Sequence, residues 1–117
     1  MTNDNKINYL ELPCNNFDAV QQFYETTFGW TFISYGEEYR AFNDGNMDGG
    51  FYASDQHSFT SSGAALIVIY AENLEKTQKS VVENGGTIKK QIFSFPGGRR
   101  FHFSDPCGNE LAVWSEQ

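Results

Sequence analysis

Three side chains of this 117-residue sequence have the right chemistry for proton transfer: Glu11, Glu110 and His102. A carboxylate placed among apolar aromatics has its pKa pushed upward, which suits a general base, and an imidazole can serve as the acid. Tyr9, Tyr70 and Trp114 offer flat surfaces with a polar tip for a ligand. Arg100, which with Arg99 follows Gly97-Gly98, can clamp a carboxylate or phosphate. Each residue also has a plainer reading. His102 can be a hydrogen-bonded packing residue, and the two glutamates can be solvated or paired with Arg100 and Arg40. Tyr9 and Trp114 can fill a cavity, and the arginine pair can be solvated charge. Cys14 and Cys107 lack metal-ligand spacing and read as ordinary small side chains, and His57 reads as a solvated loop residue.

Strand parity decides which way these groups point. Phe101-His102-Phe103-Ser104 and Asn109 to Trp114 alternate in character and flank Asp105-Pro106-Cys107-Gly108, a turn sequence, so the segment reads as a hairpin. With Phe101, Phe103, Leu111 and Val113 on a core, Arg100, His102, Glu110, Ala112 and Trp114 share the opposite face. Ile7 to Leu12 is a strand ended by Pro13, and with Leu10 and Leu12 packed on a helix, Tyr9 and Glu11 face inward. Leu66, Val68 and Tyr70 complete a wall that is mostly apolar and aromatic with few polar groups, the usual character of a small-ligand pocket. Ala112 and Arg100 join Tyr9, Tyr70 and Trp114 as its expected ligand-binding positions.

The elements that carry these faces follow in order. Asn15 or Asn16 caps a helix with Phe17, Val20, Phe23, Tyr24 and Phe28 at helical spacing, and Gly29 stops it. Trp30 to Tyr35, Tyr39 to Phe42 and Phe51 to Ala53 read as strands, the last two joined through Asp44-Gly45. Ser54 to Gly63 is a polar connector. Ala64 to Tyr70 is a strand, and Asn73 caps a helix from Leu74 to about Asn84, with Leu74, Val81 and Val82 inward and Gly85-Gly86 as the stop. Thr87 to Phe93 and Arg99 to Ser104 surround a second turn. Asn73 stands 57 positions after Asn16, and Gly86 stands 57 after Gly29. Two units of strand, helix and three strands are an internal duplication, and one helix per four strands leaves each sheet an uncovered face.

Composition bounds the rest. The length suits one domain with a real core. A net charge of -7, from 15 acids and 8 bases, disfavours nucleic acid and anionic membrane as partners. No apolar run is long enough to span a bilayer, and the polar opening Met1 to Lys6 lacks a signal-peptide core, so a cytoplasmic protein is expected.

The chain resembles the glyoxalase/bleomycin-resistance/extradiol dioxygenase superfamily, also called vicinal oxygen chelate proteins. The residues that carry the resemblance are Tyr9-Leu10-Glu11-Leu12-Pro13, then Phe23-Tyr24 with Phe28-Gly29-Trp30, then Asp105-Pro106-Cys107-Gly108-Asn109-Glu110-Leu111. The resemblance implies an α+β fold: two βαβββ modules in tandem forming a half-open, eight-stranded barrel around a cavity. It implies a single domain over residues 6–117, with modules at about 6–54 and 63–115, and a homodimer, for which exposed sheet edges give a physical reason. Metal-dependent members hold a divalent ion with His, Glu or Gln and use it as a Lewis acid. Carried over one at a time, those positions fall on Tyr9, Leu66 and Ala112, and on the strand near Phe51 or Tyr52. These residues do not support a metal, so none is expected, unless Glu11, Glu110 and His102 form a displaced site.

Two functions follow from the resemblance and the open face together. One is a glyoxalase-related module that binds a small organic molecule, as bleomycin-resistance relatives do without metal, its acidic rim favouring cationic ligands over Trp and Tyr faces. The alternative is a lyase or isomerase with Glu11 or Glu110 as base and His102 as acid.

Overall fold

The structure is a computed structural model and describes residues 3–116. Met1, Thr2 and Gln117, the last residue of the expected domain, lie outside the described residues. Strand β1 (Tyr9–Cys14) leads into helix α1 (Phe17–Phe28), followed by β2 (Thr31–Ser34), β3 (Tyr39–Asn43) and β4 (Asp48–Ala53). After one 3₁₀ turn at Thr60–Ser62, the pattern repeats as β5 (Ile67–Tyr70), α2 (Leu74–Glu83), β6 (Thr87–Phe95), β7 (Gly98–Ser104) and β8 (Glu110–Ser115). Each module makes one four-stranded sheet, in the orders β1-β4-β3-β2 and β5-β8-β7-β6. In each sheet the first strand pairs in parallel with the last and the other pairs are antiparallel. The expected architecture is therefore present: two tandem βαβββ modules whose sheets are not closed into a barrel.

Local chemistry sets the helix ends. The Asn16 side chain accepts the Ala19 N–H at 3.2 Å and Asn73 accepts that of Lys76 at 3.0 Å. Gly29 ends α1 at φ 75°, a conformation in which a Cβ would be strained. Val82 does not point inward as expected. It lies one 100° step beyond Val81 around α2, and is 56% exposed while Val81 is buried. Pro13 does not end β1 either. Pro13 and Cys14 stay in the strand opposite Tyr52 and Ala53, because β1 is an edge strand and a proline costs no ladder hydrogen bond on its free side. β4 begins three residues earlier than Phe51, since Asp44 folds the turn by accepting the Asn46 and Met47 N–H groups and Asn43 then pairs with Asp48. The strands expected from Trp30, Ala64 and Asn109 begin later, at Thr31, Ile67 and Glu110, and Trp30 and Asn109 are buried packing residues instead.

The core is shared by both modules. Val20, Phe23 and Tyr24 of α1 and Leu74 and Val81 of α2 meet Leu12, Phe42 and Phe51 of the first sheet and Phe101, Phe103, Leu111 and Val113 of the second. Tyr24 stacks on Trp30 with ring centres 4.4 Å apart, and Phe23 meets Phe103 at 5.6 Å. A polar cluster locks the same junction. Asp105 is buried and accepts hydrogen bonds from the Tyr24 hydroxyl and from the Cys107 and Asn109 backbone N–H groups. Asn109 donates its side-chain amide to Pro13 O at 2.7 Å and accepts the Ser58 N–H at 2.9 Å. Cys14 and Cys107 are buried beside it: the Asn16 N–H donates to Cys14 Sγ, and Cys107 Sγ donates to Asn16 O. The neighbouring Cys107 thiol, together with burial, pushes Cys14 far up, while the Cys14 thiol draws Cys107 down to about 7. His57 is an exposed loop residue, as expected, and its Nδ1 also lies 2.7 Å from Cys107 O.

Candidate functional site

The face of the first sheet away from the core carries Tyr9 and Glu11 on β1, as parity predicts. The structure adds Tyr39 on β3 to this face. Its hydroxyl donates to Glu11 Oε2 at 2.9 Å and is hydrogen bonded to the Tyr9 hydroxyl. Burial, followed by the bonds to Tyr9 and Glu11, pushes the Tyr39 phenol well above the usual tyrosine range. Gly50 makes the arrangement possible, because a Cβ there would lie against the Tyr39 ring and hydroxyl, closer than real Cβ atoms approach. Glu11 faces Gly50 and Gly50 faces Ala41 across the strands, so small residues leave a trough. A cavity of about 390 Å³ opens along this face, lined by Tyr9, Thr31, Ile33, Tyr35, Asn43 and Asp48 among others. A second, of about 440 Å³, lies where Leu10, Trp30 and Met47 of the first module approach Val68 and Tyr70 of the second.

The outward face of the second sheet holds the other candidates. His102 and Ala112 are opposite each other, as are Arg100 and Trp114, with Val68 and Tyr70 completing the rows. His102 Nδ1 lies 2.8 Å from Glu110 Oε2. The other Glu110 oxygen accepts the Thr60 N–H at 3.0 Å and its hydroxyl at 2.8 Å. Burial pushes the Glu110 carboxyl up, but His102 and Thr60 outweigh it and hold the group below its usual range. An ionised carboxylate only accepts, so Nδ1 carries the proton and Nε2 of the neutral ring is the lone-pair site. Nε2 is buried without a hydrogen-bond partner, with Phe93 packed 6.0 Å from the ring centre. Arg100 lies over Phe93 and Phe95, at 5.3 and 5.6 Å, and its Nε is likewise buried and unpartnered. Tyr70, 46% exposed, touches Trp114 edge-on and donates to Glu116, which raises its phenol.

Several expectations are corrected. Glu11 does not meet His102 and Glu110: it sits on the other sheet, and among the described residues no three His, Cys, Asp or Glu side chains come together as a metal site would require. Ala112 presents no surface to a ligand, being 0% exposed under its neighbours. Arg99 holds Glu75 of α2 through two hydrogen bonds of 2.6 and 3.2 Å and is not turned to the open face. Arg40 pairs with Asp18 and Gln21 of α1, so it neutralises neither glutamate. Thr60 came from the polar connector, where no periodicity marks any position. Tyr39 does carry a sequence signal, since its parity on β3 places it over Gly50.

The fold and these faces define a class, small paired-module proteins with open curved sheets. A family model of the Glyoxalase/Bleomycin resistance protein/Dioxygenase superfamily matches residues 6–113. The chain belongs to that superfamily. Among solved structures, a glyoxalase-related enzyme from Fulvimarina pelagi superposes with a TM-score of 0.79 at 14% identity, covering 95% of this chain and 88% of that one. The fosfomycin resistance protein FosX from Mesorhizobium loti gives 0.75 at 11%, covering 95% and 92%. A lactoylglutathione lyase from Agrobacterium tumefaciens gives 0.71 at 16%, covering 97% and 96%. At these identities the likeness is one of fold. Among curated proteins, none matches the chain. No helix of the described residues is long and apolar enough to cross a membrane.

Proposed function

We propose that the chain binds a small organic molecule against the open faces of its sheets, without the metal-ligand set used by metal-dependent members of its superfamily. The observation that carries this reading is the combination, on each open face, of aromatic side chains with polar groups already held in place: Tyr9, Tyr39 and Glu11 on one, His102 and Glu110 on the other. Such sparse, fixed polar groups in an apolar recess are what orients a small ligand. The residues at the superfamily's metal positions do not fit a divalent ion. Leu66 and Ala112 have no donor atom, and the Tyr9 phenol is engaged with Tyr39. The chain works as a homodimer, a reading supported by exposed Tyr9, Ile33, Tyr35, Tyr52, Val68 and Tyr70 on or beside the open faces. Two unlinked cysteines and a strongly acidic balance suit a cytoplasmic protein with no nucleic-acid or membrane partner.

His102 favours a second reading, metal-independent lyase or isomerase chemistry. Glu110 holds the Nδ1 proton, so Nε2 can take a proton from a substrate carbon or hydroxyl and return it elsewhere, with Glu110 stabilising the imidazolium in between.

Elemental analysis of the purified protein, followed by thermal-shift screening with Ni²⁺, Zn²⁺, Mn²⁺ and small metabolites, tests the binding reading. Stabilisation by an organic compound without stoichiometric metal is expected; tight, stoichiometric metal overturns it. Loss of a measured turnover in His102→Ala with unchanged melting would establish the enzymatic reading. Sedimentation at micromolar concentration should show a dimer, and monomer alone removes that assignment.

A further inference from the structure

The two open faces differ in charge. Glu11 and Asp48 make the first sheet's face acidic. On the second, Arg100 and Lys90 both lean on Phe93, at 5.3 and 4.6 Å, and Arg100 also lies over Phe95. Neither cation has a carboxylate within ion-pair distance among the described residues, although acids outnumber bases 15 to 8 in the chain. The acids near this face are already engaged: Glu110 with His102 and Thr60, Glu116 with the Tyr70 hydroxyl. The ladder explains how the cations gather. The β6–β7 register shifts twice, between Ile88 and Lys90 and between Lys90 and Phe93, so Phe93 comes opposite Arg100 and Lys90 opposite His102 on one side of the sheet. A bulge that re-aims a side chain in this way is a common device at binding sites.

Resting on the small-molecule reading above, we infer that Arg100, supported by Lys90, is a subsite for an oxyanion, so that the ligand is an organic carboxylate or phosphate whose apolar body lies along Trp114 and Tyr70. Phe93 and Phe95 cover the guanidinium's flat surface and fix its plane, which leaves its N–H edge for the ligand. A planar fork held in one orientation matches a carboxylate or phosphate in two parallel hydrogen bonds. Arg100 Nε and His102 Nε2 are both buried without partners, and buried polar groups in folded proteins are nearly always paired. A bound anion supplies the partner that Nε lacks, accepting its N–H. The preference is opposite in sign to the cationic ligand that the acidic composition suggests.

The test is calorimetric titration of the intact protein with four probes of one shape: phenylacetate, phenyl phosphate, benzyl alcohol and benzylammonium. An anionic probe should bind at least tenfold tighter than the alcohol, and its affinity should fall as salt rises. Arg100→Met, which keeps the aliphatic stem, should bring the anion down to the affinity of the alcohol. Arg100→Lys should keep part of the preference, and serves as the control if the methionine variant melts early. Preference for the alcohol or for benzylammonium overturns the anion subsite and leaves the small-molecule reading standing. Tight anion binding that survives Arg100→Met places the anion elsewhere and overturns the assignment. Failure of all four probes to bind overturns the subsite, and the metabolite screen then decides the broader reading separately.

Discussion

Tyr24→Phe isolates one hydrogen bond at the module junction. The ring stays, so its stacking on Trp30 and its contacts with Phe23 and Phe51 are kept, and only the 2.9 Å bond from the hydroxyl to Asp105 Oδ2 is lost. Asp105 is 4% exposed, and water cannot replace the missing donor. A hydrogen bond to a charged group contributes about 1.5–3 kcal/mol. The unfolding entropy of a domain is about 2.1 cal/mol/K per residue, or about 0.25 kcal/mol/K for this length, so a loss of about 2 kcal/mol lowers Tm by about 8 °C. The pH dependence supplies an internal check. Burial raises the Asp105 pKa, with Asn109, Tyr24 and Cys107 pulling it back only in part. A carboxyl raised in the folded state contributes stability that is full below its unfolded pKa and is lost as pH rises through the folded one. The Tyr24 hydroxyl is one of the groups that limit this loss, because it stabilises the ionised form. The difference between wild type and variant is therefore widest at neutral pH and narrows on acidification as Asp105 takes up its proton. Thermal melts of both proteins from neutral to mildly acidic pH measure this. A difference below about 2 °C at neutral pH, or one that widens in acid, refutes the reasoning.

Other perturbations give equally definite outcomes. Gly50→Ala should cost less than about 1 kcal/mol, because the Tyr39 ring can swing away, but it should release Tyr39 from Glu11; an alkaline absorbance titration should then show one more tyrosine ionising in the ordinary range. Glu110 is held below its usual range, so its contribution is present above the unfolded pKa and is lost as pH falls through the folded one. Glu110→Gln should therefore cost about 1–2 kcal/mol at neutral pH and little in acid, read as a flatter acid limb in urea midpoints against pH. Phe23→Ala removes a fully buried ring that joins α1 to the second sheet and should cost about 3–5 kcal/mol, measured by urea unfolding.

Much of this architecture was legible from local chemistry. Asn16 and Asn73 cap because their short amides reach back to the first turn, and Gly29 stops α1 because it accepts a positive φ. Alternation alone put Arg100, His102, Glu110 and Trp114 on one face, and the ladder agrees. What alternation cannot give is which partners a face acquires from elsewhere in the chain. Glu110 is fixed by Thr60, fifty positions away in a connector with no pattern. Arg99 and Arg100 read as a pair, yet adjacent strand residues point oppositely: one holds Glu75, the other the aromatic face. Pro13 reads as a strand end in sequence because the unpaired side of β1 is visible only once the sheet order is known. Glu11 and His102 share the right chemistry, but the sheet to which each belongs separates them.

The polar lock at Asp105 and Asn109 also bears on how the chain is made. Its bonds join Tyr24 to Asp105 across 81 positions and Pro13 to Asn109 across 96. A ribosome adds about 5–20 residues per second, so the first module waits on the order of 3 to 11 s after Ala53 before Asn109 exists. During that wait Phe23 has no Phe103 to cover it, and the Pro13 carbonyl has no amide to satisfy it. Here the two halves depend on each other: the shared core needs residues of both, and a turn made late closes a strand made early.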